Sequence, residues 1–205
     1  MTQKLKDMAA EIIRLQSELD QGIEYRRKTR GYDVQDRSVA FDHGIVHAHK
    51  MQRMGLAQFI RQAPLGMFLT APVIYSLIVP LVLLDLWVSL FQAICFRAYK
   101  IPRVRRSDYI AFDRRHLAYL NWVEATNCAF CAYGNGLIGY VREISSRTEQ
   151  FWCPIKHALR ISDPHHRYYE FLEYGDAEGY RDRLEAFRGE LRAEPAGPAR
   201  PYKIT

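Results

Sequence analysis

Three cysteines and one histidine in the second half of the chain have the spacing of metal ligands. Cys128 and Cys131 are separated by two residues, and Cys153 and His157 by three. Three thiolates and one imidazole complete a tetrahedral zinc site, and the same set can hold an iron–sulfur cluster in which histidine replaces one cysteine. The sequence therefore predicts a site for zinc or an iron–sulfur cluster with four ligands: Cys128, Cys131, Cys153 and His157.

The chain between the two ligand pairs makes a single site difficult to close. Gly134-Asn135-Gly136 is a strong break signal, and apolar residues at helical spacing predict a helix over residues 137–150. A straight helix of that length separates its ends by about 20 Å. The four ligands therefore meet only if residues 128–136 fold back along this helix, or if two chains contribute ligands.

Two other roles are open to the same cysteines. Free cysteines are commonly small, buried apolar residues between packed helices. Pro154 suits the first position of a third helix, which would place Cys153 at a helix N-terminus, a setting that favours a reactive thiolate. The chain lacks the Walker loop, GxGxxG and GxSxG motifs, which argues against a P-loop NTPase, a Rossmann dehydrogenase and an α/β-hydrolase.

The most distinctive element outside the predicted ligand region is a long apolar run. Between Arg61 and Arg97 lie 35 residues with one formal charge, that of Asp85. About 20 helical residues cross the hydrocarbon layer of a bilayer, so this run is too long for one straight span and too short for two. Two arrangements are open: one tilted or kinked span, or a hairpin that enters and leaves on one side with its apex near Pro80.

Asp85 is the unusual residue of this run, because a carboxylate at membrane depth is costly unless it is neutral, paired or near the interface. We expect it near the lipid headgroups beside Trp87, which is a common interfacial anchor. An ion or proton site at Asp85 is the alternative.

Basic residues flank the apolar run on both sides. The chain has 29 Lys and Arg against 23 Asp and Glu, a formal net charge of +6. By the positive-inside rule both flanks face the cytoplasm, and basic segments beside a membrane suit anionic lipid. We therefore expect the inner, cytoplasmic membrane, with the soluble parts in the cytoplasm and the lipid bilayer as one partner. No nucleic-acid-binding motif is present, so we expect no nucleic-acid partner.

The N-terminal helix is the second expected contact with a partner. Its apolar residues alternate spacings of three and four, the pattern of a short coiled coil: Leu5, Met8, Ile12, Leu15 and Leu19. Such a seam packs against a protein partner, a second copy of the chain, or the rest of the same chain.

These patterns predict an all-α, membrane-anchored protein with one hydrophobic hairpin or span and a cytoplasmic helical domain. The expected organisation is an amphipathic helix over 1–30, a linker and interfacial helix over 31–62, a membrane-embedded segment over 63–98, a helical Cys/His region over 99–192 and a disordered tail over 193–205.

The stretches RTEQFWCPIKH and NCAFC carry a resemblance to bacterial membrane-associated proteins to which no activity is assigned. The resemblance covers the C-terminal half of the chain and implies no chemistry. From the residues themselves we expect a membrane-anchored metal-binding protein that serves as an accessory subunit of a membrane complex. The alternatives are a membrane-bound thiol- or metal-dependent enzyme and a structural adaptor without metal.

Overall fold

Helix accounts for 69% of the structure and strand for 4% in a computed structural model that describes residues 3–35 and 38–196. The mostly helical fold is therefore confirmed, with one small β-hairpin that the sequence did not predict. The predicted disordered tail lies outside the described residues from 197 onward. The chain divides into two compact units, formed among the described residues by 3–35, 38–67 and 112–129, and by 68–111 and 130–196.

The first unit begins with the predicted N-terminal helix and continues into the hairpin. Its elements are α1 (Gln3–Thr29), β1 (Tyr32–Gln35), β2 (Ser38–Phe41), α2 (His43–Met51), α3 (Leu56–Gln62) and a 3₁₀ turn (Asp113–His116). Tyr32 lies opposite Phe41 in the antiparallel register. Gly31 turns the chain between α1 and β1 with a φ of +63°, a conformation that favours glycine.

The predicted interfacial helix is divided into α2 and α3, because residues 52–55 are not helical. α2 contacts the later part of the unit through its last turn. The His49 ring packs edge-on against Tyr119, with ring centroids 5.3 Å apart, and against Phe41 at 5.5 Å.

The apolar run forms one helical segment from Leu65 to Tyr99. It comprises α4 (Leu65–Ser76), α5 (Ile78–Phe91), a π-helical turn (Gln92–Phe96) and α6 (Arg97–Tyr99). Pro72 and Pro80 each remove a backbone donor, yet Leu77 between them keeps helical angles, with φ −59° and ψ −17°. The chain does not reverse at Pro80, so the hairpin with its apex there is not formed. By length and composition this helix could cross a membrane.

A helix of 31 residues, α7 (Trp122–Trp152), replaces the shorter helix that the sequence predicted over residues 137–150. Asn121 caps it: its Oδ1 accepts hydrogen bonds from the backbone N–H of Val123 and Glu124, and Glu124 Oε2 accepts one from the N–H of Asn121 at 2.9 Å. This reciprocal cap fixes where the helix starts.

The predicted break at Gly134-Asn135-Gly136 is wrong, because these residues lie within α7. A Cβ built on Gly136 would lie 2.6 Å from the carbonyl oxygen of Tyr109 and 2.9 Å from Cα of Ile110. The glycine therefore lets the 109–110 backbone approach the helix closely, and tertiary packing outweighs its local tendency to break a helix.

The core of the second unit lies where α7, the end of the apolar helix and the last helix meet. α8 (Tyr180–Ala193) contributes Leu191, and α7 contributes Leu137, Tyr140 and Ile144, all fully or nearly fully buried. The rest of the unit is a 3₁₀ turn at Arg106–Asp108, a second at His166–Glu170 and loops. The third helix predicted from Pro154 is absent: the chain there is extended, and Ile155 forms a parallel bridge with Leu172.

Candidate functional site

The predicted metal ligands are spread along α7 and beyond its end. Cys128 and Cys131 lie in the helix, and Cys153 follows its last residue. Because a helix rises about 1.5 Å per residue, Cys131 and Cys153 are about 33 Å apart along its axis. Among the described residues, no group of three or more His, Cys, Asp and Glu side chains could hold a metal ion. One chain therefore does not bring the four ligands together, and a site made by two chains stays a prediction.

Cys153 also lies at a different kind of helix end from the one predicted. It follows the C-terminus of α7, and its backbone N–H donates to the carbonyl oxygen of Glu149 at 2.7 Å. The C-terminal end of a helix carries partial negative charge, unlike the N-terminal end that the sequence predicted there. The proposed activation of Cys153 by a helix N-terminus is therefore wrong.

His157 is used in packing. Its ring stacks on Tyr168 with a centroid distance of 6.1 Å and an interplanar angle of 19°. Its backbone N–H donates to Tyr168 Oη at 2.9 Å. These contacts tie the segment after α7 to the 3₁₀ turn at His166–Glu170.

A second histidine forms a carboxylate–imidazole pair with the end of α7. His165 Nε2 lies 2.8 Å from Glu149 Oε2. In nucleophilic enzymes the other ring nitrogen of such a histidine contacts the nucleophile. Here His165 Nδ1 is buried and has no hydrogen-bond partner in the part of the chain that the structure describes, and the ring packs against Phe171 at 5.5 Å. No nucleophilic side chain of the described residues is therefore hydrogen-bonded to this histidine.

A buried ion cluster lies at the centre of the second unit. Glu143 Oε1 accepts hydrogen bonds from Arg147 Nε at 2.7 Å and from Arg167 Nη2 at 2.9 Å. Arg167 also donates to both carboxylate oxygens of Glu194, at 2.6 and 2.9 Å, and to Gln150 Oε1 at 2.8 Å. Arg147 Nη1 donates to the carbonyl oxygen of Pro102. The cluster joins α7, the 166–170 turn, the residue after α8 and the loop that follows α6.

The cluster shifts the pKa values of Arg167 and of the neighbouring His166. Burial alone would lower the pKa of Arg167, but hydrogen bonds and charge from Glu194 and Glu143 raise the pKa above its usual value. Burial lowers the pKa of the neighbouring His166, and the positive charge of Arg167 lowers it further. His166 is therefore held in its neutral form more strongly than a histidine in water.

A polar seam, formed by Asp85, Arg106 and Tyr133, joins α5 to α7. Arg106 donates three hydrogen bonds to the Asp85 carboxylate, the shortest from Nη2 at 2.7 Å, and Tyr133 Oη donates a fourth at 3.0 Å. Hydrogen bonding to Asp85 raises the pKa of Arg106. Asp85 is therefore a paired carboxylate, and the seam contains no free acid for proton or ion transfer.

Gln92, in the π-helical turn, adds a second polar contact between the apolar helix and the folded unit. Its Oε1 accepts from the backbone N–H of Val104 at 3.0 Å, its Nε2 donates to the carbonyl oxygen of Val104 at 3.2 Å, and Nε2 also contacts Tyr140 Oη. The side chain is buried with all of its amide groups paired. The sequence signal for these contacts is the presence of one Asp and one Gln in an otherwise apolar helix. The sequence does not show which residues are their partners.

The described polar contacts join the apolar helix to the packed helical unit. An open depression of about 530 Å³ beside the start of α8 is lined by Ile155, Glu173 and Tyr180 among others, with no Cys or His. The buried polar groups described above bond to one another, apart from His165 Nδ1 and Arg167 Nε, which have no partner among the described residues. The geometry provides a hydrogen-bonded connection between an exposed apolar helix and a packed helical unit.

Comparison with known proteins adds no relative, since no family model, no curated protein and no solved structure matches the chain. The function therefore follows from the geometry of the protein itself.

Proposed function

We propose that the protein is a membrane-anchored adaptor, an accessory subunit held at the cytoplasmic face of the inner membrane by its apolar helix. The observation that carries the proposal is the exposure of that helix. Its window of highest hydropathy has no buried residue, and Leu69 and Val73 are each 70% exposed. A helix of this length, with one paired carboxylate and with large apolar side chains exposed, is stable in lipid and costly in water.

The hydrogen-bonded attachment of the helix to the folded unit supports the adaptor role. The polar seam and Gln92 fix α5 and the π-helical turn to α7 and to the loop at Val104. A partner bound to the folded unit would therefore be held at a set distance from the bilayer.

The N-terminal helix α1, which belongs to the first unit, supplies a separate surface for a partner. Leu15 and Leu19 are 51% and 63% exposed, and Ile23 is 42% exposed, one helical turn apart from each other. This exposed stripe fits the short coiled-coil seam expected from the sequence, with a partner helix or a second copy of the chain on the other side.

Zinc or an iron–sulfur cluster bound by Cys128, Cys131, Cys153 and His157 is a second proposal, and it requires ligands from two chains. The exposure of Cys131 and Cys153 favours it, because both thiols are accessible to another copy. Metal analysis and an absorption spectrum of protein purified anaerobically in detergent test it. Metal that is lost in each single Cys→Ser variant supports the site, and a metal-free protein that folds normally excludes it.

Membrane anchoring is tested by introducing charge on the apolar helix. The double variant Leu69→Asp, Val73→Asp should move the protein from the carbonate-resistant membrane fraction to the soluble fraction, because each carboxylate would be costly in lipid. Leu159→Asp is the matched control, since Leu159 is 80% exposed but lies outside the helix. A wild-type protein already released by carbonate without detergent would contradict the proposal.

A further inference from the structure

The second half of the apolar helix carries an exposed apolar stripe that ends at a cation. Leu86, Leu90 and Ile94 are 65%, 51% and 61% exposed. Arg97, which is also exposed, follows Ile94 on the same helical segment. Spacings of four, four and three residues place these side chains along one side of the helix. The stripe continues the exposed apolar surface on which the proposed membrane anchoring rests.

The arginines on another side of this part of the helix already have partners. The loop after α6 returns to the level of Asp85, where Arg106 pairs with the Asp85 carboxylate at 2.7 Å, and Arg105 pairs with Asp108 at 3.1 Å. Asp85 and Leu90 are about 140° apart around the helix, because each residue turns it by about 100°. The paired arginines therefore lie on a different side from the apolar stripe.

Three cations beside the end of the stripe have no such partner. Arg97, Lys100 and Arg103 are exposed, and no carboxylate of the described residues pairs with them. They lie close together, because the backbone between Lys100 and Arg103 reaches at most about 11 Å when it is extended. Like charges this close repel one another, and an external anion would relieve that repulsion.

Lys100 occupies a backbone position that favours glycine. It ends α6 with a φ of 58° and a ψ of 36°, in the left-handed region. Glycine adopts this conformation without the strain that a side chain brings. The strained position supports a use for the lysine charge that the described chain itself does not supply.

From these observations we propose that Arg97, Lys100 and Arg103 bind the headgroup phosphates of anionic phospholipid, next to the acyl chains that cover the stripe. The proposal deepens the proposed function and rests on the membrane anchoring argued above. An anionic phospholipid fits both features, because one molecule offers a phosphate to the cations and apolar chains to the stripe. An acidic protein surface would pair with the cations but would leave the apolar side chains exposed.

Lipid selectivity in reconstituted vesicles tests the proposal. The full-length protein is placed in vesicles of phosphatidylcholine and phosphatidylglycerol, and spin-labelled forms of the two lipids report which one is held at the protein surface. The wild type should hold phosphatidylglycerol in preference to phosphatidylcholine. The triple variant Arg97→Gln, Lys100→Gln, Arg103→Gln should bring the ratio of the two association constants close to one. Its thermal unfolding in detergent should match that of the wild type, because the three side chains are exposed.

Two single variants, Arg97→Gln and Arg181→Gln, remove the same charge at different places. Arg181 is exposed at the start of α8, eleven residues before Arg192, which donates to the carbonyl oxygen of Tyr99. Arg181 is therefore about 17 Å along α8 from that contact, farther than the Debye length of about 8 Å at physiological salt. Arg97→Gln should lower the preference for phosphatidylglycerol about fivefold, and Arg181→Gln should leave it unchanged.

Equal association of the two lipids with the wild type would overturn the proposal. An equal loss of preference in Arg97→Gln and Arg181→Gln would also overturn it, because net charge alone would then set the selectivity. If both lipids are held at the protein surface without preference, only the headgroup site fails. If neither lipid is held there, the protein is not in the bilayer and the membrane anchoring itself fails.

Discussion

Arginine side chains hold the buried charges of this protein in place. Glu143 and Arg147 are 4% and 1% exposed, four residues apart on α7, and a sequence pattern of this kind usually marks a solvated helix face. The cluster could not be predicted because its other members, Arg167 and Glu194, come from distant parts of the chain. The same limitation applies to Asp85, whose partner Arg106 was expected only as one of many basic residues near lipid.

Glu143→Gln should strongly destabilise the second unit. The substitution removes the negative charge that Arg147 and Arg167 share, and breaking a buried ion pair costs about 3–5 kcal/mol. Glu185→Gln is the control, because the Glu185 side chain, which pairs with Arg188, is exposed. Exposed ion pairs contribute about 1 kcal/mol or less to stability. Chemical denaturation in detergent measures both, and equal losses would show that the cluster carries no special share of the stability.

Gly136→Ala should lower the free energy of unfolding by about 1–3 kcal/mol, because the new methyl group would meet backbone atoms that cannot move aside easily. Gly134→Ala is its matched partner in the same turn. There the methyl group would lie 3.6 Å from Leu81 Cδ1, an ordinary contact. Gly134→Ala should therefore keep or raise the stability, because alanine favours the helix over glycine by about 1 kcal/mol. If both variants lose the same stability, the close approach of the 109–110 backbone does not explain why glycine is required at position 136.

Among the elements, those with a sustained apolar pattern were predicted and those set by tertiary contacts were not. The N-terminal helix and the long apolar helix were expected at close to their observed positions. The continuity of α7 was missed because Gly136 packs against residues 109–110, which are remote in sequence. The extended chain after Pro154 was missed for a similar reason: its hydrogen-bond partner is Leu172.

The 3₁₀ turn at His166–Glu170 should make the second unit sensitive to acid. Burial and the charge of Arg167 lower the pKa of His166 below its ordinary 6.5. The unfolded chain therefore takes up a proton at a higher pH than the folded protein does, so stability is complete above about pH 6.5 and falls as the pH drops toward the folded pKa.

Thermal unfolding of the wild type and of His166→Gln between pH 5 and pH 8 checks this sign, with the pH values chosen as about 1.5 units on either side of the ordinary histidine pKa. Below pH 6.5 the thermal stability of the variant should decline less than that of the wild type. Above pH 6.5 the stability of the two proteins should change with pH at the same slope. A steeper decline in the variant would mean that another group, such as a carboxylate of the ion cluster, controls the acid sensitivity.

For the whole molecule, charge and packing constrain how the apolar helix can meet the bilayer. Arg26, Arg27 and Lys28 lie at the end of α1, and further basic residues follow the apolar helix, so both flanks favour the cytoplasm. The second half of the helix is covered on one side by the folded unit through the polar seam and Gln92. In the proposed anchored state, a helix covered in this way would contact lipid on its other side only, and such contact does not require the chain to cross the membrane there.

We therefore expect both ends of the chain on the cytoplasmic side, although the hairpin first expected near Pro80 is not formed. Thr29→Cys and Glu185→Cys, each introduced into a chain whose native cysteines are replaced by serine, place one exposed thiol before and one after the apolar helix. An impermeant maleimide should label neither in intact cells and both after permeabilisation, because the basic flanks disfavour export of either end. Labelling at position 29 alone in intact cells would instead mean that the helix from Leu65 to Tyr99 crosses the bilayer and that the first unit lies outside.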